Sequence, residues 1–137
     1  MHIPYSGDLA ILFLAELLLS GRDPVPISDF SAKHSASPLF LKKIARQLRQ
    51  AGLIRSKEGA GGGYVLGRNP DSVTIWDVYV ALDQKRHADS MHYDSVYLEC
   101  PLNSACLPQI VRKKVRVTLK KSLESVTIAS LIKNIQI

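Results

Sequence analysis

Ser37 and Pro38 mark a helix start in two independent ways. A serine oxygen accepts a hydrogen bond from one of the orphan N–H groups of a first turn, and proline, with no N–H and a fixed φ, suits the first helical position. From there to about Gln50 the residues sort by face. At about 100° per residue, Leu41, Ile44, Ala45 and Leu48 share one side, Leu39, Lys43, Arg46 and Gln50 point the opposite way, and Lys42 and Gln47 sit at the flanks. One side packs and the other is basic.

The neighbours of this helix fix its context. Ile27 to His34 reads as a short helix with Ile27 and Phe30 inward, joined to Ser37 by a tight connection. After Gly52, Leu53-Ile54-Arg55-Ser56-Lys57 alternates as a strand, and Tyr64-Val65-Leu66 returns antiparallel to it. The tip between them, Glu58 to Gly63, holds half of the protein's 8 glycines, and a tip without Cβ atoms brings backbone close to another molecule. Helix, turn, basic amphipathic helix and glycine-tipped hairpin is the order of a winged helix-turn-helix. The expected fold class is mainly α with a small β-hairpin wing, extended by a long C-terminal dimerisation helix.

Outside that unit, Ser6 to Ser20 reads as a helix capped by Ser6 with almost no polar face, so it should be covered by a second subunit as well as by its own domain. Gly21, Pro24 and Pro26 end it. Asn69-Pro70-Asp71 turns the chain, and Thr74 with Asp77 forms a capping box opening a helix through Val80 and Leu82. Residues 84–99 are polar and acidic, without periodicity, and read as a loop. From about Leu107 to Leu123 a long helix carries Val111, Val115, Leu119 and Leu123, continued by Val126, as one narrow seam between basic faces. So little burial cannot hold a lone helix, which points to pairing with a symmetry mate.

Charge is distributed unevenly in this chain of 137 residues with net charge +6. Between Lys33 and Lys57 stand Lys33, Lys42, Lys43, Arg46, Arg49, Arg55 and Lys57 with no acidic residue. From Asp71 to Glu99 acidic residues dominate, and from Cys100 onward Lys and Arg dominate again. Clustered cations suit a polyanion, because each one set against a phosphate releases condensed counterions. Lys42, Lys43 and Arg46 reach phosphates or guanine edges, Ser37 with the helix N-terminus holds a phosphate, and outward Leu39 lies against a thymine methyl. Gln47 and the hairpin glycines Gly61, Gly62 and Gly63 complete the expected contact set with double-stranded DNA. The alternative is a winged helix that binds protein instead.

Other classes have little support. Hydrophobic residues at 46% and charged residues at 22% are values of a globular chain, and the length suits one domain. The longest apolar run, Leu9 to Ala15, is far short of the ~20 residues that span a bilayer, and no Lys or Arg precedes it as in a signal peptide, so a cytoplasmic protein without a membrane partner is expected. The glycine run lacks the Lys-Ser/Thr ending of a P-loop, Tyr64 takes the last glycine place of a dinucleotide fingerprint, and no nucleophile–base pair stands out. No enzyme is expected.

Leu48-Arg49-Gln50-Ala51-Gly52-Leu53-Ile54, Gly59-Ala60-Gly61-Gly62-Gly63-Tyr64-Val65-Leu66 and Val73-Thr74-Ile75-Trp76-Asp77-Val78 resemble the Rrf-two family of bacterial winged-helix regulators, which includes the IscR, NsrR and CymR types. The likeness runs from Ile3 to Leu82 and resumes from Cys100 to Ile132, where Val126-Thr127-Ile128-Ala129-Ser130-Leu131 is similar to the family's closing motif. It implies a homodimer whose long helices cross between subunits, a transcription factor on a palindromic operator, most simply a repressor, and a sensing region at the cysteines. The chain then divides into a DNA-binding domain at 1–83, a sensing loop at 84–106 with Cys100 and Cys106, and a dimerisation segment at 107–137. Glu58 stands where family wings carry a basic residue, and a carboxylate there is repelled by phosphate, which argues against deep insertion of the wing.

Cys100-Pro101-Leu102-Asn103-Ser104-Ala105-Cys106 matches part of the family's cluster loop, where thiolates hold an iron–sulfur centre. Family members of that type carry three cysteines, and Arg112 stands where the third would fall at equal spacing. The resemblance supplies Asp8 as a further ligand, a position that some relatives offer from the partner subunit, while His92, His87 or Glu99 is at hand for the fourth. Three readings of the cysteines stay open: an iron–sulfur cluster, a reversible thiol or disulfide switch sensing redox or nitrosative status, and unliganded structural thiols.

Overall fold

The structure is a computed structural model and describes residues 5–82 and 107–135. It is a winged helix followed by two further helices. The elements are α1 (Tyr5–Ser20), α2 (Ile27–His34), α3 (Pro38–Gln50), β1 (Ile54–Lys57), β2 (Gly63–Leu66), α4 (Ile75–Leu82), α5 (Leu107–Glu124) and α6 (Ile128–Ile135). None of the described helices is long and apolar enough to cross a membrane.

Apolar periodicity decides how these elements meet. Leu9, Ala10, Phe13, Leu14 and Leu17 of α1 are buried among Leu41, Ile44, Ala45 and Leu48 of α3, Val78 of α4 and Ile128 of α6. Each fully buried Leu or Ile contributes roughly 1.5–3 kcal/mol through lost apolar exposure, so α1 is the pillar around which the rest is arranged. The α3 face forecast from its spacing is the buried one. An aromatic cluster ties three elements together: Phe13 of α1 meets Phe30 of α2 edge to face at 5.0 Å and Tyr64 of β2 at 5.9 Å.

One expectation about α1 needs correction. The helix already includes Tyr5, so Ser6 lies within its first turn and does not cap it. Its own domain buries most of its circumference, with Leu12 and Leu19 left at 38% and 63% exposure. Three helices and the hairpin of the same chain supply the intramolecular part of the expected cover.

The hairpin pairs antiparallel with Ile54 opposite Leu66 and Lys57 opposite Gly63. Its inner strand is anchored to the α1–α2 linker, where Val25 and Tyr64 exchange two backbone hydrogen bonds of 2.9 and 3.0 Å. The Thr74–Asp77 capping box is present, with Thr74 N donating to Asp77 Oδ2 at 3.0 Å and Asp77 N donating to Thr74 Oγ1 at 3.2 Å.

α6 was not anticipated. Its start is capped reciprocally by Thr127 and Ser130, with Ser130 N donating to Thr127 Oγ1 at 3.1 Å and Thr127 N donating to Ser130 Oγ at 3.0 Å. Ile128, 1% exposed, belongs to the same core as α1. The long seam of α5 divides in two. Leu123 and Val126 pack onto the chain's own core, Leu119 is half-buried, and Val111 and Val115 are each 51% exposed. Where α5 runs beside α4, the Lys120 ammonium sits 5.9 Å from the Trp76 ring centroid.

Candidate nucleic-acid interface

The first turn of α3 is built as its sequence requires. Ser37 has extended backbone and its hydroxyl accepts from Phe40 N at 3.4 Å, with Pro38 leading the helix. Because Leu41, Ile44, Ala45 and Leu48 are held in the core, the opposite face must turn to solvent. There Leu39 is 80% exposed, and Lys42, Lys43 and Arg46 are exposed beside it. Among the described residues, no carboxylate stands within ion-pair distance of those three cations. Their charge faces solvent undiminished.

Other members of the cationic stretch are engaged. Lys33 Nζ lies 2.7 Å from Glu16 Oε1, and His34 Nε2 lies 3.2 Å from the same oxygen, while the His34 ring packs 4.4 Å from Phe30. The Lys33 hydrogen bond holds the Glu16 carboxyl below its ordinary range, burial opposes it, and His34 adds to the lowering. This cluster fastens the end of α2 to α1 just before α3 begins. Gln47, expected at the flank of the contact face, is half-buried and donates through Nε2 to Leu82 O at 3.3 Å, joining α3 to the end of α4. Arg49 Nη1 donates to Ser56 Oγ at 3.4 Å, which ties the C-terminal half of α3 to the wing.

The wing glycines serve different ends. Gly61 has φ +75° with nothing within 4 Å of a built Cβ, so conformation alone asks for glycine there. A Cβ at Gly62 would collide with the Lys57 carbonyl, and one at Gly63 would lie 2.5 Å from the Val25 carbonyl carbon. Of the three expected contact glycines, only Gly61 is exposed, whereas Gly62 and Gly63 are half-buried within the wing's own fold. Arg55 and Lys57, exposed on β1, were counted in the charge run but not named as contacts; alternation along the strand sends both to the same side.

Of the expected sensing set, Asp8 alone falls among the described residues. Cys100, Cys106, His92, His87 and Glu99 lie outside them, as does the 84–99 loop. Asp8 is exposed on the first turns of α1, beside a shallow groove of about 200 Å³ walled by Ile11, Leu12, Ala15, Ile128, Leu131 and Ile132. Burial raises the pKa of the Tyr79 hydroxyl on α4, and the charge of Asp8 on α1 raises it further. An exposed carboxylate of this kind fits a ligand offered to a group bound elsewhere. Among the described residues, no group of three or more His, Cys, Asp or Glu side chains is close enough to hold a metal ion.

Residues 4–134 match the Rrf2 family, described as an iron-dependent transcriptional regulator. The chain belongs to the Rrf2 family. The HTH-type transcriptional regulator IscR of Sodalis glossinidius is 28% identical over 100% of this chain and 82% of its own length. Among solved structures, the T. potens IscR superposes with a TM-score of 0.72 at 25% identity, covering 98% of this chain and 88% of that one. CymR (YrzC), the global cysteine regulator of B. subtilis, gives a TM-score of 0.72 at 25% identity over 98% of both chains. This Rrf2 protein is thus a winged-helix transcriptional regulator, related to IscR and CymR.

Proposed function

We propose that this Rrf2 regulator binds double-stranded DNA as a homodimer on a palindromic operator, acting as a repressor, with α3 in the major groove and the wing against flanking backbone. One observation carries the reading. Lys42, Lys43 and Arg46 stand exposed around Leu39 with no carboxylate among the described residues to neutralise them, the surface a polyanion requires. Dimer formation is supported by Ile110, Val111, Val115 and Val117, all at least 46% exposed on α5, because a helix with that much bare apolar surface wants cover. A two-fold protein asks for a two-fold site.

Binding to genomic DNA fragments should weaken steeply as salt rises, and replacing Lys43 and Arg46 together with Ala should flatten that dependence. Unchanged affinity and slope in the double variant would remove α3 from the interface and favour a protein-binding winged helix.

Sensing is assigned to Cys100 and Cys106. In an iron–sulfur form these thiolates, Asp8 and His92 would be the ligands, and the cluster would supply a charge and ordering signal lost on its oxidation or nitrosylation. Iron and acid-labile sulfide analysis of anaerobically purified protein, with a Cys106→Ser control, decides between this form and a thiol switch. Colourless protein without iron or sulfide excludes the cluster. Mass spectrometry for a Cys100–Cys106 disulfide after mild oxidation then tests the switch.

A further inference from the structure

Resting on the DNA-binding reading above, we infer that α3 selects keto bases, guanine and thymine, on the strand it contacts, with Leu39 seated against a thymine 5-methyl group. Leu39, Lys42 and Lys43 face outward from the N-terminal half of the helix, the half that meets base edges in helix-turn-helix proteins, and Arg46 stands exposed one turn beyond Lys42. Three of them carry only N–H donors and the fourth carries only methyl groups.

Of the two amides of α3, Gln50 is its last residue, a turn beyond Arg46, and Gln47, beside the four, points away. Gln47 is half-buried and turned to the Leu82 carbonyl, so it is not presented to a base edge in the bidentate geometry that reads adenine. Among the described residues, no carboxylate stands beside the three cations to accept from the cytosine amino group. In the major groove, guanine presents two acceptors, O6 and N7, and thymine presents O4, whereas cytosine presents its N4 donor and adenine sets its N6 donor beside a single acceptor, N7. A donor-only face therefore gains from the keto bases and meets unmatched donors at the amino bases.

Leu39 sharpens the choice. At 80% exposure it costs the free protein an uncovered isobutyl group one step from the helix start. Its neighbours on the same face, Lys42 and Lys43, exclude an apolar protein partner by their charge but suit a groove floor edged by phosphates. The one apolar group that such a groove offers is the thymine methyl.

The test uses the full chain and duplexes recovered from a random pool by repeated selection. Replacing thymine by deoxyuridine, one position at a time, removes the methyl and preserves pairing. At one position per half-site the parent should lose about fourfold in affinity, the worth of one buried methyl-sized group, while Leu39→Ala should bind the two duplexes equally. Guanines of the same half-site should show dimethyl sulfate interference at N7. Leu39 is solvent-exposed, so the variant keeps its fold, with circular dichroism as the check. A selected, salt-sensitive site indifferent to every deoxyuridine, or with no guanine interference, overturns the base preference and leaves DNA binding standing. Failure to enrich any sequence, with no salt dependence, overturns both.

Discussion

Thr74 and Thr127 face each other across an isolated antiparallel bridge, and each caps the helix that follows it. Ile75 N donates to Val126 O and Ile128 N donates to Val73 O, both at 2.9 Å, so the starts of α4 and α6 form one hydrogen-bonded unit. That clasp joins the end of the winged domain to the residues just after the long helix. Thr127→Val or Thr74→Val removes a capping oxygen and keeps the shape, and each should cost about 1 kcal/mol in urea unfolding. The double variant should depart from the sum of the two, because both caps brace the same bridge. Strict additivity would show two energetically separate helix starts.

Glu16 makes the fold sensitive to acid. Its carboxyl, whose ordinary pKa is 4.5, is lowered first by the Lys33 hydrogen bond, against opposing desolvation, and further by His34. A group with a depressed folded pKa contributes stability that is present above its unfolded value and is lost as pH falls through the folded one. Glu16→Gln should therefore unfold more easily than the parent at neutral pH, and the two stability curves should converge as the medium drops below 4.5. Curves that stay parallel down to the lowest pH would mean that the carboxylate makes no differential contact in the folded state.

Alanine at two glycines of the wing should separate strain from collision. At Gly61 the backbone has φ +75° and open space around it, so Gly61→Ala pays only the left-handed penalty of about 1–2 kcal/mol. At Gly63 the new methyl would lie 2.5 Å from the Val25 carbonyl carbon and 2.6 Å from its oxygen. Backbone must move there, and the two Val25–Tyr64 hydrogen bonds go with it. Gly63→Ala should be the more damaging change in thermal unfolding. Hydrogen exchange should place the lost protection at the Val25 and Tyr64 amides, and equal losses for both variants would contradict the close approach.

Where periodicity and caps agreed, the chain was readable before its structure. The buried face of α3, the Ser37 cap and the Thr74–Asp77 box all rest on local spacing, and local spacing survives folding. What escaped depends on contacts between distant segments. α6 is only 8 residues and begins at a Thr-x-x-Ser cap with no acidic third residue, so local spacing gives it no clear helix signature; the pairing with Val73 and Val126 is what holds it. The seam of α5 has one period, yet Leu123 meets its own core and Val111 does not, a distinction set by where the helix leaves the domain. Gln47 has a flanking angle in either view, and only the position of α4 turns its amide toward Leu82.

The cationic stretch from Lys33 to Lys57 offers the sharpest contrast between a count of charges and their use. Lys33 is held at 2.7 Å by Glu16, 17 residues earlier on a different helix, so its charge is already partnered when DNA arrives. Lys42, Lys43 and Arg46 are exposed, and among the described residues no carboxylate pairs with them. Each of their alanine variants should reduce the slope of log affinity against log salt by about 1, the signature of one lost phosphate contact. Lys33→Ala should leave that slope unchanged and appear instead as easier unfolding, since it removes the strongest influence on Glu16. If Lys33→Ala flattened the slope as much as Lys43→Ala, the Glu16 contact would have to open on the duplex, and α2 would join α3 as a phosphate-binding element.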